Sequence, residues 1–319
     1  MFGKTKHIHF VGIGGSGMSG IAEVLLDLGY TVTGSDVCES ATTKHLRDVG
    51  AIVTIGHDEK NINNAQVVVA SSAISSFNPE IRAAKGSRVP VIHRAEMLAE
   101  LMRLKQGIAI AGAHGKTTTT SMLAAVLEDS FLDPTIVIGG RVNAFGGGSR
   151  SGQGSLLIAE ADESDGTFLK LSPSIVVITN IDREHLDYYK SIERILESFA
   201  EFVKKVPFYG LVVLCGDDPL LRSLIPVLYK RYVTSGMQEH ADLVASNIKI
   251  HGWNSTFTVH AEGKLVGQFT IPLPGEHYVS NALAAIAVGL ELEVPVKKIS
   301  DGLAGFCGVE RRLQCIGEK

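Results

Sequence analysis

The stretch GIAIAGAHGKTTTT, residues 107–120, reads as a buried strand, a glycine turn and the start of a helix. Gly107–Ala111 is an unbroken apolar run, as expected of a strand in a parallel sheet covered on both faces. The turn Gly112-Ala113-His114-Gly115-Lys116-Thr117 follows, and a helix is predicted from Lys116 to about Glu128. This turn is two residues shorter than G-x-x-x-x-G-K-[ST]. The physics is unchanged, because backbone amides and the positive end of the helix cradle phosphates. Lys116 is a compact cation for β- and γ-phosphates, and the Thr117 hydroxyl suits Mg²⁺. Thr118, Thr119 and Thr120 lengthen the hydroxyl run. No acid is expected beside Lys116, so its charge calls for a bound anion; a turn with no ligand is the competing reading.

Downstream, the apolar run Ser155–Ala159 ends in Glu160-Ala161-Asp162-Glu163-Ser164-Asp165. Nucleotide enzymes place metal-binding acids at this edge of the sheet. Glu160, nearest the strand end, is the best metal candidate. Ile175–Thr179 likewise ends in Asn180-Ile181-Asp182-Arg183-Glu184-His185. A lone histidine is more often structural, but His185 lies past a strand end among acids, which favours a metal ligand.

Upstream, HIHFVGIGGSGMSG (residues 7–20) contains Gly12-Ile13-Gly14-Gly15-Ser16-Gly17, a G-x-G-x-x-G match between a strand and a helix. Glycines let a pyrophosphate approach the amides, and Asp36, 19 residues past Gly17, is placed for a ribose hydroxyl. NAD is the plain reading. The motif reports a diphosphate beside a ribose, however, and leaves base and sugar open.

Around these turns the chain alternates strands and helices. Strands are predicted at Thr31–Gly34, Ile52–Ile55, Val67–Ala70, Val89–Ile92, Thr135–Ile138 and Leu211–Leu214. Helices are predicted at 42–49, 94–104, 191–204 and 278–290. Leu243–Ile250, Ser255–His260 and Leu265–Ile271 form a small antiparallel addition. Arg141–Gly154, rich in Gly and Ser, reads as a surface loop that either moves over substrate or is idle. The expected architecture is α/β: a Rossmann-like parallel-sheet domain over residues 1–105, then a P-loop mononucleotide-binding domain over 106–307.

The 319 residues carry 30 Lys+Arg against 34 Asp+Glu, which disfavours a nucleic-acid partner. With 45% hydrophobic residues the chain is not disordered. Cys38, Cys215, Cys307 and Cys315 lack metal or disulfide spacing, so reduced thiols are expected. No signal peptide is expected from the polar, basic start of the sequence, and no apolar run nears the ~20 residues that span a bilayer. A cytoplasmic protein without membrane insertion is expected.

Taken together, HIHFVGIGGSGMSG, GSD (34–36), GAHGKTTTT (112–120), EADESDGTF (160–168) and NIDREHLDYY (180–189) resemble the Mur ligases. Met18-Ser19-Gly20 after the first turn is similar to the alanine-adding branch. The resemblance covers the whole chain and implies an ATP-dependent amide-forming ligase of peptidoglycan precursor synthesis. The lactyl carboxylate of UDP-N-acetylmuramate would be phosphorylated by ATP, then attacked by the amine of L-alanine. UDP-sugar, not NAD, would then occupy the first turn, on Gly14, Gly15, Ser16, Gly17, Met18, Asp36, Ser71, His93 and Arg94. ATP would lie on Gly112, Ala113, His114, Gly115, Lys116, Thr117, Thr118 and Asn281. Mg²⁺ would be shared by Thr117, Glu160 and His185, with Lys116, Glu160 and His185 catalytic.

Some positions depart from the family. Tyr278 follows His277 where the family has asparagine, which alters the expected adenine contacts, while Asn281 is retained. Ser16 stands at an apolar position of the turn. Lys190 is too near His185 to supply the carbamylated lysine of some relatives. Gly308–Gln314 resembles the link to a third, amino-acid-binding domain, so residues 308–319 are expected to be a linker and this chain to turn over slowly by itself. A ligase for a recycled peptide, an NAD-dependent oxidoreductase and a non-catalytic nucleotide-binding module are the alternatives.

Overall fold

Strand β1 (His7–Val11) is buried on both faces, with Ile8 and Phe10 on one and His9 and Val11 on the other. The computed structural model describes residues 5–15, 17–71, 73–128, 130–142 and 147–308. After β1 come α1 (Met18–Asp27), β2 (Thr31–Asp36), α2 (Ala41–Asp48), β3 (Ile52–Ile55), β4 (Val67–Ala70), α3 (Pro79–Gly86), β5 (Val91–His93) and α4 (Arg94–Leu104). The strands pair in parallel in the order β3-β2-β1-β4-β5. Strand order reverses between β1 and β4, which opens a crevice at their C-terminal ends. Ile21 and Leu25 of α1, Leu46 of α2 and Leu101 of α4 share a core with Ile8 and Phe10. Ile81 and Ala84 of α3 pack with Val11 and Val68.

Beneath α3 lies a buried polar network. The Glu80 carboxylate accepts from Ser35 Oγ (2.6 Å) and Asn61 Nδ2 (2.5 Å), with His57 Nδ1 at 3.4 Å and His9 Nε2 at 3.7 Å. Burial pushes the Glu80 carboxyl up, but the nearby His9 imidazole and the hydrogen bonds from Ser35 and Asn61 outweigh it, and the net direction is down. A carboxyl lowered in the fold adds stability above its unfolded value, and loses it as pH falls through the lower folded value. Melting temperatures from pH 7 to pH 3 should therefore show parent and Glu80→Gln converging only below the ordinary value of 4.5. A constant difference down to pH 3 would refute this reading.

The second series begins with β6 (Gln106–Ala111), α5 (Lys116–Glu128), β7 (Thr135–Val142), β8 (Gly147–Arg150) and β9 (Leu156–Glu160). β10 (Ile175–Ile178), α6 (Leu186–Tyr189), α7 (Ile192–Lys204), β11 (Leu211–Cys215), α8 (Pro219–Leu224) and β12 (Tyr232–Gly236) follow. β13 (Leu243–His251), β14 (Asn254–Ala261), β15 (Lys264–Ile271), α9 (Glu276–Glu291) and α10 (Val296–Ala304) complete it. Among the described residues the sheet order is β15-β14-β13-β12-β11-β10-β6-β9-β7-β8. Alternate residues of the central strands divide between two cores. Ile108, Ile110 and Val177 pack with α5, α9 and α10, while Ala109, Val176 and Leu214 pack with α7 and α8. The alanine-rich face of α9 lets it lie close against α5. β13 joins the main sheet through a parallel pair with β12, and the antiparallel addition runs on from there.

Helix α4 connects the two sheets, and one apolar core runs from β1 through Met97 and Met102 into β6, β9 and β10. Polar contacts reinforce the junction: Ser149 Oγ donates to Glu23, and Lys170 pairs with Glu96. This corrects the expectation of a surface loop over Arg141–Gly154. Its described part includes β8, which pairs antiparallel with β7 and packs against α1. Residues 143–146 lie outside the described residues. Helices α3, α8 and α10 and strand β12 were not anticipated; β12 escapes pattern reading because its buried residues include Thr234, Ser235 and Gly236. Among the described residues no helix is long and apolar enough to cross a membrane. Cys38 and Cys215 are free thiols.

Candidate active site

The second glycine turn leaves β6, between β9 and β10, so the loops after those two strands flank it. The loop after β10 holds the turn in shape. Ala113 N donates to Asn180 O (3.1 Å) and His114 N to Asn180 Oδ1 (2.8 Å). Thr179 Oγ1 (2.6 Å) and Asn180 Nδ2 (2.9 Å) both donate to His114 O. Gly112 has φ +128°, and a Cβ there would overlap Thr179 Oγ1. The amides of Ala113 and His114 thus serve the loop itself. Asn281 of α9 lies against Gly115, so α9 borders the same mouth. The rings of His277 and Tyr278 at the start of α9 are 4.1 Å apart.

Lys116 Nζ folds back to Gly112 O (2.6 Å) and Ala113 O (3.1 Å) and pairs with Glu163 Oε1 (2.8 Å). The expectation that no acid lies near this lysine is therefore corrected: the acidic run after β9 turns Glu163 inward. The Glu163 side chain is 4% exposed, and its Oε2 is buried with no hydrogen-bond partner among the described residues. Burial pushes its carboxyl above the ordinary value, with the Lys116 ammonium opposing. Tyr189 Oη donates to Glu163 O (2.5 Å) and fixes this segment. Burial also pushes the Tyr189 phenol up.

His185 Nε2 is 3.8 Å from Glu163 Oε1, so Lys116 and His185 converge on one carboxylate. The His185 backbone is left-handed, φ +55°, which is uncommon for a non-glycine residue and turns the chain into α6. Glu160 ends β9, paired in register with Ile110. Thr117 is in the first turn of α5. Among the described residues no three His, Cys, Asp or Glu side chains form a ready cation cage. The orphaned Glu163 oxygen, the Thr117 hydroxyl and the acidic run nevertheless give the hard oxygen chemistry that Mg²⁺ takes, so the donor set fits that ion. Nearness to the strand end singled out Glu160, whereas the direction of the chain after the strand brings Glu163 to Lys116.

The first glycine turn sits at the crevice between β1 and β4. Gly14 N donates to Asp36 Oδ2 (2.8 Å) and Val37 N to Asp36 Oδ1 (2.8 Å), so Asp36 shapes the turn as well as bordering it. Ser71 follows β4 and accepts from Ala73 N at its Oγ (3.2 Å). His93 Nδ1 caps α4 by accepting from Ala95 N (3.2 Å), and burial lowers its pKa. Met18 starts α1 and is buried, while Ser16 lies outside the described residues. Gly17 has φ +77°, and a Cβ there would collide with the Arg94 guanidinium. Arg94 Nη2 reaches Asp162 Oδ2 at 3.3 Å. Burial raises the Asp162 pKa, but the Ser164 hydrogen bonds and the Arg94 charge outweigh it, so the net direction is down. Arg94 therefore ties the first turn to the acids flanking the second.

Two strand–turn–helix units, each opening at a switch point, give an α/β protein with the architecture of a two-site nucleotide-binding protein. Residues 7–106 match the Mur ligase family, catalytic domain, and residues 110–289 match the Mur ligase middle domain. The chain belongs to the Mur ligase family. It is 57% identical to the UDP-N-acetylmuramate–L-alanine ligase of Trichlorobacter lovleyi, over 100% of this chain and 70% of that one. The enzyme of the same name from Geobacter sulfurreducens is 54% identical, over 100% and 69%. Among solved structures, the UDP-N-acetylmuramate-alanine ligase of Thermotoga maritima superposes with TM-score 0.87 at 31% identity, over 98% of this chain and 71% of that one. The UDP-N-acetylmuramate:L-alanyl-gamma-D-glutamyl-meso-diaminopimelate ligase of Neisseria meningitides gives 0.87 at 28%, over 96% and 100%.

Proposed function

We propose that this protein is an ATP-dependent ligase that joins L-alanine to the lactyl carboxylate of UDP-N-acetylmuramate, in cytoplasmic peptidoglycan precursor synthesis. The observation that supports the reading is the Arg94 bridge between the first glycine turn and the acids flanking the second. Identity of 54–57% over the whole chain to proteins named UDP-N-acetylmuramate–L-alanine ligase supports alanine as the amine. We divide the chain into a UDP-sugar unit over 1–105, an ATP unit over 106–307 and a linker over 308–319. Residues 309–319 are outside the described residues.

In this reading the diphosphate of UDP lies on Gly14, Gly15, Ser16 and Gly17, bordered by Met18, Asp36, Ser71, His93 and Arg94. The ATP phosphates lie on Gly115, Lys116, Thr117 and Thr118, on a turn shaped by Gly112, Ala113 and His114, with adenine toward Asn281. Lys116 leaves Glu163 and follows the γ-phosphoryl group, whose growing charge it stabilises during transfer to the carboxylate. The alanine amine then attacks the acyl carbon, loses a proton and expels phosphate. Thr117, Glu160, Glu163 and His185 would hold Mg²⁺, which neutralises phosphate charge when bound.

Calorimetric titration tests the first site. UDP-N-acetylmuramate should bind saturably, while NAD(P)H in a parallel cell should give no heat of binding. Binding of NAD(P)H alone would overturn the assignment.

A further inference from the structure

The two sheet ends of the ATP unit differ sharply. Glycine turn and acids occupy the C-terminal ends of the strands. At the N-terminal ends of β11 and β12 the surface is aromatic and basic. Phe208 and Tyr209 lie just before β11 and are 91% and 63% exposed; Tyr229, before β12, is 94% exposed, and Tyr232 begins β12. The two loops form one surface, because Lys230 Nζ donates to Val206 O (2.5 Å) and Val212 N to Arg231 O (3.0 Å). The Phe208 and Tyr209 rings meet edge-on at 5.3 Å.

Lys204 and Lys205 are exposed at the end of α7, beside these rings. The chain as a whole is acidic, yet residues 204–214 and 219–238 contain no Asp or Glu. Arg231 is matched by Glu291, while no ion pair within 4 Å is recorded for Lys204, Lys205 or Lys230 among the described residues. Exposed aromatic rings beside exposed lysines match the interface of an anionic bilayer: rings enter the headgroup layer and lysines meet lipid phosphates.

We propose that this edge docks peripherally on anionic phospholipid membranes, without inserting a helix. It lies at the opposite end of the strands from the second glycine turn and the acidic loops beside it, so docking leaves the nucleotide mouth open to solvent. The inference does not depend on which amine the ligase takes.

Flotation with vesicles tests it. The chain should float with phosphatidylcholine vesicles containing about 30% phosphatidylglycerol and stay behind with phosphatidylcholine alone. Salt at about 0.5 M should release it, since exposed charges are then screened. Lys204→Gln with Lys205→Gln should weaken partitioning roughly 30-fold. Phe208→Ser with Tyr229→Ser should abolish it, with circular dichroism and nucleotide binding unchanged. Equal flotation with both vesicle types, no flotation, or parental flotation of either double variant would overturn the proposal. So would self-association of the parent that the aromatic pair of substitutions abolishes while vesicle binding is absent, which would make the patch a protein contact.

Discussion

Lys116→Ala is expected to lower turnover by about 10³-fold or more, since it removes the cation that follows the transferring phosphoryl group. Phosphate release with UDP-N-acetylmuramate, L-alanine and ATP present, in a form as long as the relatives, is the readout. Binding of UDP-N-acetylmuramate should be preserved, because the first turn contacts the ATP unit through Arg94 and Asp162, not through Lys116. The substitution also strips the cation from Glu163, whose side chain is 4% exposed. A carboxyl raised by burial is more comfortable neutral, so its favourable contribution is present at low pH and lost as pH rises through its folded value. The stability loss in Lys116→Ala should therefore be larger at pH 8 than at pH 5. Near-parental turnover would mean that the lysine is only a structural partner of Glu163.

Gly112→Ala is expected to cost about 3 kcal/mol, a melting temperature lower by roughly 6–12 °C, and to remove ATP binding. Two effects add. The backbone at φ +128° is unfavourable for any residue with a Cβ, and the added carbon would lie 2.9 and 3.0 Å from the Asn180 backbone while overlapping Thr179 Oγ1. Thr179 cannot yield cheaply, because its hydroxyl already donates to His114 O. A melting temperature within about 2 °C of the parent would show that the turn relaxes freely.

Much of the fold was legible because burial on both faces of a sheet demands long apolar runs. β3, β4, α4 and α5 occupy the spans predicted for them. Both glycine turns were legible for a related reason: few sequences other than closely spaced glycines let a strand turn directly into a helix over a phosphate. Short elements with polar cores were not legible. α3 is stabilised by Glu80 reaching Ser35 and Asn61 across the sheet, contacts with no periodicity to find. The Gly/Ser-rich stretch read as a loop because its side chains are small, yet those small residues let β8 lie against α1.

Within the site, the division is equally physical. Local sequence determined the two glycine turns proposed to hold phosphates, since amides, helix ends and the lysine after the second turn are contiguous in the chain. Tertiary structure decided which acid faces that lysine. The six residues from Glu160 to Asp165 include four acids, and only the path of the chain, pinned by Tyr189 from a distant helix, turns Glu163 inward and sends Asp162 to Arg94. It also decided that Arg94 joins the two turns, a contact 68 residues apart in sequence. Local motifs encode groups that act on a ligand through the backbone, whereas long-range packing alone selects among chemically equivalent side chains.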